Sequence, residues 1–327
     1  MAKDVRPIAA MAALLVIAQL AALALAPAFA STTGPVFQDT EDPFNSLLYI
    51  LLILVFTGII LLVVRLRRGN AVKYVILGAM FLTMLLVFYL PFYLLFRSWD
   101  ATGTSPIPDL FAQIEGAVLS AALTYALAKY PEWYLVDAVG ISVAAGVTAI
   151  LGISFAILPA LLLLVGLAVY DAISVYKTKH MVTLADAVAT QRLPILIVIP
   201  KTRGYSFLRQ RSLKAQIASG EEREAMFMGL GDIIIPGVLV VSAFVSLANA
   251  VSKGRLPDVS VLGVTGNLVV ALVTLLGTLL GFTLLMRYVM KGNPQAGLPL
   301  LNTGAILGYL VSYYAVYRDL TFGVVLG

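Results

Sequence analysis

Apolar residues fall in long blocks along this chain, and polar residues are confined to the gaps between them. Nine blocks stand out, at about 8–30, 46–64, 73–96, 110–128, 134–151, 154–176, 225–248, 260–287 and 298–317. A helix of about twenty residues, rising 1.5 Å per residue, crosses a ~30 Å hydrocarbon core. In that core every backbone polar group needs a partner within its own segment, so such blocks read as spanning helices. The pattern predicts an all-α membrane protein with nine transmembrane helices, residues 1–327 forming one polytopic domain. No repeat with a solenoid's period is visible.

Two stretches need separate treatment. Lys3 and Arg6 precede the first block, and Ala28-Phe29-Ala30 offers a small-x-small cleavage site, as in a secretory signal peptide. The block is long for that role, which favours a retained first span. The other stretch is the polar segment 177–224, which carries both signs of charge, Gly204, Gly220 and the cluster GEERE. Within it LPILIVIP, Leu193 to Pro200, is a β-branched run bracketed by prolines and too short to span. It reads as a strand-forming segment between spans six and seven, with a packed interfacial segment as the other reading.

Composition agrees with the pattern. The chain is 61% hydrophobic and 12% charged, with a mean hydropathy of +0.97, whereas a soluble domain carries about a quarter charged residues. With the N-terminus inside, 18 of the 22 Lys and Arg residues fall on inside segments. The excess of basic residues on cytoplasmic loops therefore predicts the N-terminus in the cytoplasm and the C-terminus outside. The net charge of +5 then describes a face near anionic lipid and not a nucleic-acid surface.

Against this background two acids are conspicuous, Asp171 in LAVYDAISVY and Asp232 in MGLGDIIIPG. A central Asp costs roughly 2.5–3.5 kcal/mol to insert. Glu115 and Asp137 lie near the starts of their blocks and read as interfacial. Asp171 precedes Lys177 by six residues and Asp232 follows Glu224 by eight. Helical rise puts the two at similar depths, roughly 9 and 12 Å from the cytoplasmic charges, on consecutive antiparallel spans. A third element reaches the same level. QAGLPLLN, Gln295 to Asn302, opens span nine with Gly297 and Pro299, which hinder regular helix. Irregular backbone at membrane depth is tolerated where it lines a cavity.

Two facing carboxyls cannot both ionise readily, so they share a proton. The ionised member can take a proton from water, and the protonated member can donate to a carbonyl, which suffices for amide hydrolysis. With no cysteine, thiol chemistry is excluded. The one histidine, His180, sits in the basic KTKH outside span six. Neither a two-histidine zinc site nor a buried histidine base can be built. A proton or cation pathway is the rival use of such acids.

At these residues the chain resembles the GxGD intramembrane aspartyl proteases, which comprise presenilin and signal peptide peptidase. The family pattern is Tyr-Asp in span six, Gly-x-Gly-Asp in span seven and Pro-Ala-Leu at the start of span nine. Here the first is Tyr170-Asp171 and the second Gly229-Leu230-Gly231-Asp232. The third is altered: QAGLP keeps Gln295, Leu298 and Pro299 of the family's Gln-Pro-Ala-Leu-Pro but has Ala296 and Gly297 in between. Smallness is kept, so backbone can still approach the acids. The resemblance covers nearly the whole chain. The inside N-terminus is similar to presenilins, and GLGDIIIPG looks more like signal peptide peptidase, a mixture suited to a microbial presenilin homologue.

The resemblance implies an intramembrane aspartic endopeptidase that cleaves transmembrane helices near their cytoplasmic ends. Asp171 and Asp232 would be catalytic. Tyr170, Gly229, Leu230, Gly231, Gly297, Leu298 and Pro299 would support them. Substrate would join a small sheet, with Ile195, Leu196, Ile197 and Val198 pairing either with it or with 224–228. No metal or organic cofactor is implied. The partners are transmembrane segments of substrates and the lipid bilayer, with no nucleic acid and no named partner subunit. The expected location is a multi-pass position in the cell membrane of a microbe. A proton-coupled transporter using the two acids as a relay is the alternative, although the chain lacks the internal repeat such folds show. A non-catalytic helix-binding protein is a third.

Overall fold

The computed structural model describes residues 2–65, 69–99, 105–177, 195–202, 204–209, 224–290 and 295–324. Among these, nine helices dominate: α1 (Ala2–Thr32), α2 (Phe44–Arg65), α3 (Gly69–Arg97), α4 (Ile107–Lys129), α5 (Trp133–Ser154), α6 (Ile157–Tyr176), α7 (Gly231–Ser252), α8 (Gly266–Val289) and α9 (Leu298–Tyr317). Strands β1 (Leu196–Pro200) and β2 (Ala225–Gly229) pair antiparallel, as do the short β3 (Ser260–Val261) and β4 (Val264–Thr265). Eight helices are long and apolar enough to cross a membrane. The ninth, α9, dilutes its aliphatic run with Asn302, Thr303 and four tyrosines. Leu193, Pro194, His180 and Lys291 lie outside the described residues.

The predicted seventh block, 225–248, divides. Ala225–Gly229 is strand, and the helix begins only at Gly231. Asp232 therefore stands in the first turn of α7, where a helix leaves backbone N–H groups without intrahelical partners.

The chain forms two compact units. The first comprises Met1–Pro7, Ile59–Val143 and Ala185–Leu230. In it α3 and α4 pack so closely that a methyl on Gly116 would lie 3.4 Å from the Tyr89 nitrogen. Tyr89 donates to Asp109 at 2.6 Å, and Lys73 Nζ donates to the Ala128 carbonyl at the end of α4, 3.0 Å away. A cation there suits the negative end of the helix dipole. The β1–β2 register places Leu196 opposite Gly229 and Pro200 opposite Ala225, with Ile197 and Val198 fully buried. Of the two pairings open to Leu196–Val198, the one with the segment before Gly229 is present.

Asp137, expected at the interface, is instead buried, and its Oδ1 accepts the Val198 N–H at 2.7 Å. Its nearness to the span end misled, because the strand segment folds over it. Glu115 is exposed. Tyr205 is buried near Glu224, Glu132 and Asp137, and burial first, with those charges adding, raises its hydroxyl pKa.

The second unit comprises Ile8–Gly58, Ala144–Leu184 and Gly231–Gly327. Its tightest contact is between α8 and α9. A methyl on Gly277 would fall 2.2 Å from the Gly304 carbonyl oxygen, and one on Gly281 2.3 Å from that of Leu300. Side-chain-free stripes let the two backbones touch, as packing in lipid requires. Gly277 and Gly281 thus serve helix packing.

Candidate active site

Asp171 and Asp232 reach the site from α6 and α7, and α9 supplies the backbone between them. Pro299 in the first turn of α9 has the fixed φ that suits a helix start. Gly297 is the N-cap. The Leu298 N–H, with no partner inside its own helix, is donated to Asp171 Oδ2 at 3.1 Å. A carboxylate is favoured there by the positive end of the α9 dipole.

Asp232 comes up to the adjoining residue, Gly297. A methyl group on Gly297 would lie 2.9 Å from its Oδ1 and 3.1 Å from its Oδ2. Gly297 has ordinary helical backbone, φ −78° and ψ −50°, so close approach and not backbone conformation is what demands glycine. The Leu298 nitrogen and a Cβ on Gly297 are no more than about 4 Å apart. The nearest oxygens of the two acids therefore lie within roughly 10 Å of each other. Asp171 is buried, Asp232 half-buried and Gly231 exposed, with open space around a Cβ placed on Gly231. One acid is shielded and the other accessible, an arrangement suited to a proton-sharing pair with room for a reactant.

Three polar rungs hold α6 to α9 in antiparallel order. Asn302 Nδ2 donates to the Leu164 carbonyl at 2.8 Å. Leu298 bonds Asp171, as above. Tyr176 then donates to Gln295 Oε1 at 2.7 Å and receives the Ala296 N–H at 3.4 Å. Tyr176 and Asn302 were not singled out from sequence. Each is polar within or beside an apolar block, the one local sign they carried. Tyr170 is half-buried in the turn before Asp171. Ile195, Leu196, Ile197, Val198, Gly229 and Leu230 belong to the other unit, in or beside the β1–β2 pair.

A sequence profile described as "Signal-peptide peptidase, presenilin aspartyl protease" matches residues 12–317. The chain belongs to this family. Two solved structures resemble it, both described as a presenilin family intramembrane aspartate protease, in C222 and P2 space groups. They are 33% and 34% identical, with TM-scores of 0.62 and 0.62, and the matches cover 94% and 95% of this chain and 99% of each of theirs. No curated protein matches significantly. The chain is thus an intramembrane aspartic endopeptidase, a hydrolase and an integral multi-pass membrane protein, and its substrates are transmembrane segments in the bilayer. The family excludes the transporter reading.

Proposed function

We propose that Asp171 and Asp232 are the catalytic pair and that a water between them is the nucleophile. The observation that carries this reading is their convergence on one piece of backbone, Gly297–Leu298. The ionised acid takes a proton from the water, which attacks the scissile carbonyl. The other acid donates its proton to the carbonyl oxygen. The first acid then passes the proton it took from the water to the leaving nitrogen, while the second takes a proton back from the gem-diol hydroxyl as the C–N bond breaks. Leu298 N–H fixes Asp171, and Gly297 gives Asp232 its place. Pro299 starts the helix that holds both. Tyr170 lines the pocket, and the open side of Gly231 admits substrate backbone beside Asp232. Gly229 and Leu230 connect β2 to that point.

A helical substrate must unwind before water can reach its amides, and its freed backbone groups need new partners in lipid. Strand addition to the β1–β2 pair supplies them. Ile195, Leu196, Ile197 and Val198 support the pairing strand. The basic residues place the N-terminus inside, which favours substrates with external N-termini cut near their cytoplasmic ends. The mixed presenilin and signal-peptide-peptidase features suit a microbial cell membrane.

The test is incubation of purified protein with a transmembrane peptide, with and without Asp171→Asn. Cleavage lost in the variant supports the reading, and cleavage retained at the wild-type rate sinks it.

A further inference from the structure

The backbone of β1 has two edges. Antiparallel pairing turns alternate residues toward the partner strand. The Lys201 N–H bonds the Glu224 carbonyl at 2.8 Å, and the Leu230 N–H bonds the Ile195 carbonyl at 3.2 Å. In the same register Ile197 and Ile199 also face β2, and Leu196, Val198 and Pro200 turn their backbone groups outward. A strand added to that outer edge would need their donors. Pro200 has none. The Val198 N–H is already given to Asp137 Oδ1 at 2.7 Å, and Asp137 is only 6% exposed.

The contact is built from several sides. Asp137 stands near the start of α5. One turn further along, a methyl on Gly140 would lie 3.2 Å from the Leu230 side chain and 3.4 Å from that of Ile197. The missing side chain at Gly140 lets the sheet lie close on α5. Just before α5, Glu132 accepts from Ser206 Oγ at 2.6 Å and from the Phe207 N–H at 3.1 Å. Two carboxylates thus hold the segment at both Val198 and Ser206–Phe207. A buried carboxylate facing a single edge N–H, where a simple apolar contact would suffice for packing, marks a position at which strand addition is blocked.

We infer that Asp137 is a positioning residue that closes the outer edge of β1, docks the sheet on α5 and confines an incoming strand to the outward edge of β2 at Ala225, Phe227 and Gly229. This rests on the strand-addition reading above. It fixes the register in which an unwound substrate is presented, and hence which bond is cut.

The experiment compares Asp137→Leu, Asp137→Asn and Asp137→Leu/Val198→Pro, reading both kcat/KM and the cleaved bond by mass spectrometry of the products. Asn keeps an acceptor oxygen for the Val198 N–H, so it cleaves the original bond within about threefold of the wild-type rate. Leu leaves that N–H without a partner, so kcat/KM falls about tenfold or more and the cuts spread to neighbouring bonds. Proline at 198 removes the orphaned donor at a position where β2 does not use it, so the double variant regains the original bond. Three results overturn the inference: Asp137→Leu cutting the same bond at the wild-type rate, Asp137→Asn as damaging as Asp137→Leu, or a double variant no better folded or more active than Asp137→Leu. Ile197→Pro, which removes a donor facing β2, tests strand addition separately. Normal cleavage by Ile197→Pro defeats that reading and this inference with it. Loss of cleavage in Ile197→Pro beside a normal Asp137→Leu defeats the inference alone.

Discussion

A side-chain carbon on Gly297 would stand 2.9 Å from the carboxylate of Asp232, closer than real side chains pack. The family pattern has alanine at this place, so the proposed Asp171–Asp232 pair has a smaller neighbour here. Gly297→Ala should force a shift of a few tenths of an ångström and cut kcat several-fold. Gly297→Val, which cannot turn aside, should cut it by about 10²-fold, the effect of misplacing a reacting group by about 1 Å. The thermal midpoint should move little, because backbone conformation at 297 suits any residue. Turnover of a transmembrane peptide measured beside thermal unfolding checks this, and an unimpaired Gly297→Val would remove Gly297 from the site.

Asp171→Asn and Asp232→Asn should each abolish cleavage and leave the helices intact, since members of a catalytic unit fail together. In the wild type, activity should fall on both sides of an optimum, with two apparent pKa values that belong to the pair. A pH–rate profile with a single limb, or either variant retaining substantial turnover, would contradict the shared-proton mechanism.

Tyr176 grips both Gln295 and Ala296 just ahead of Gly297. Tyr176→Phe deletes the hydroxyl and keeps the ring. A hydrogen bond of this kind is worth about 1 kcal/mol net, so a several-fold loss is expected. It should appear in kcat more than in KM, because the hydroxyl holds the segment that carries the acids' backbone partners. Equal losses in Tyr176→Phe and Tyr176→Ala would assign the effect to the hydroxyl, and a harmless Tyr176→Phe would assign it to the ring.

The helices were legible because lipid enforces long apolar segments, and the acids because a carboxylate inside such a segment is costly. What stayed hidden depended on distant partners. Ala225–Gly229 merged with α7 since five apolar strand residues look the same as helix to a hydropathy pattern. The matched depths of Asp171 and Asp232 were counted at helical rise, which does not apply to β2. What brings the two acids near each other is the approach of Asp171 to Leu298 and of Asp232 to Gly297, next to it in the chain. Asp137 looked interfacial because distance from a span end carries no word of Val198, 61 residues away. Tyr176, Asn302 and Gln19 find partners 119, 138 and 214 residues distant, and no local pattern encodes those meetings.

Beyond α9 the chain folds back, with Asp319 receiving hydrogen bonds from the Thr321 hydroxyl, from Tyr313 at 2.6 Å and from the Thr321 N–H at 3.2 Å. The bond from Thr321, then that from Tyr313, lowers the Asp319 pKa below the usual carboxylate value. A depressed folded pKa contributes stability that is present above the unfolded pKa of about 3.9 and is lost as pH falls through the folded one. The Tyr309 contact to Phe322 should therefore loosen only in acid, below about pH 4. Tyrosine fluorescence of the wild type against Asp319→Asn checks this, with the variant losing the acid-dependent step.

Pro236 lies inside α7, four residues after Asp232. It has no N–H to offer the Asp232 carbonyl, and its ring crowds that carbonyl. The turn carrying the acid is therefore weakened from within and needs support from outside. Gln19 of α1 provides it. The residue is fully buried, and its Nε2 donates to the Ile233 carbonyl at 3.2 Å. Gly237, next to the proline, makes the room: a methyl there would lie 2.7 Å from Thr148 Cγ2 and 3.2 Å from Gln19 Cγ. This contact ties α1 to the residue after Asp232. Gln19→Leu fills the same space without the donor and should lower kcat about fivefold, the worth of roughly 1 kcal/mol, with KM little changed. An isotope-labelled Ile233 carbonyl should shift to higher infrared frequency in the variant as its bond is lost. Unchanged turnover together with an unchanged carbonyl band would leave Gln19 with packing alone.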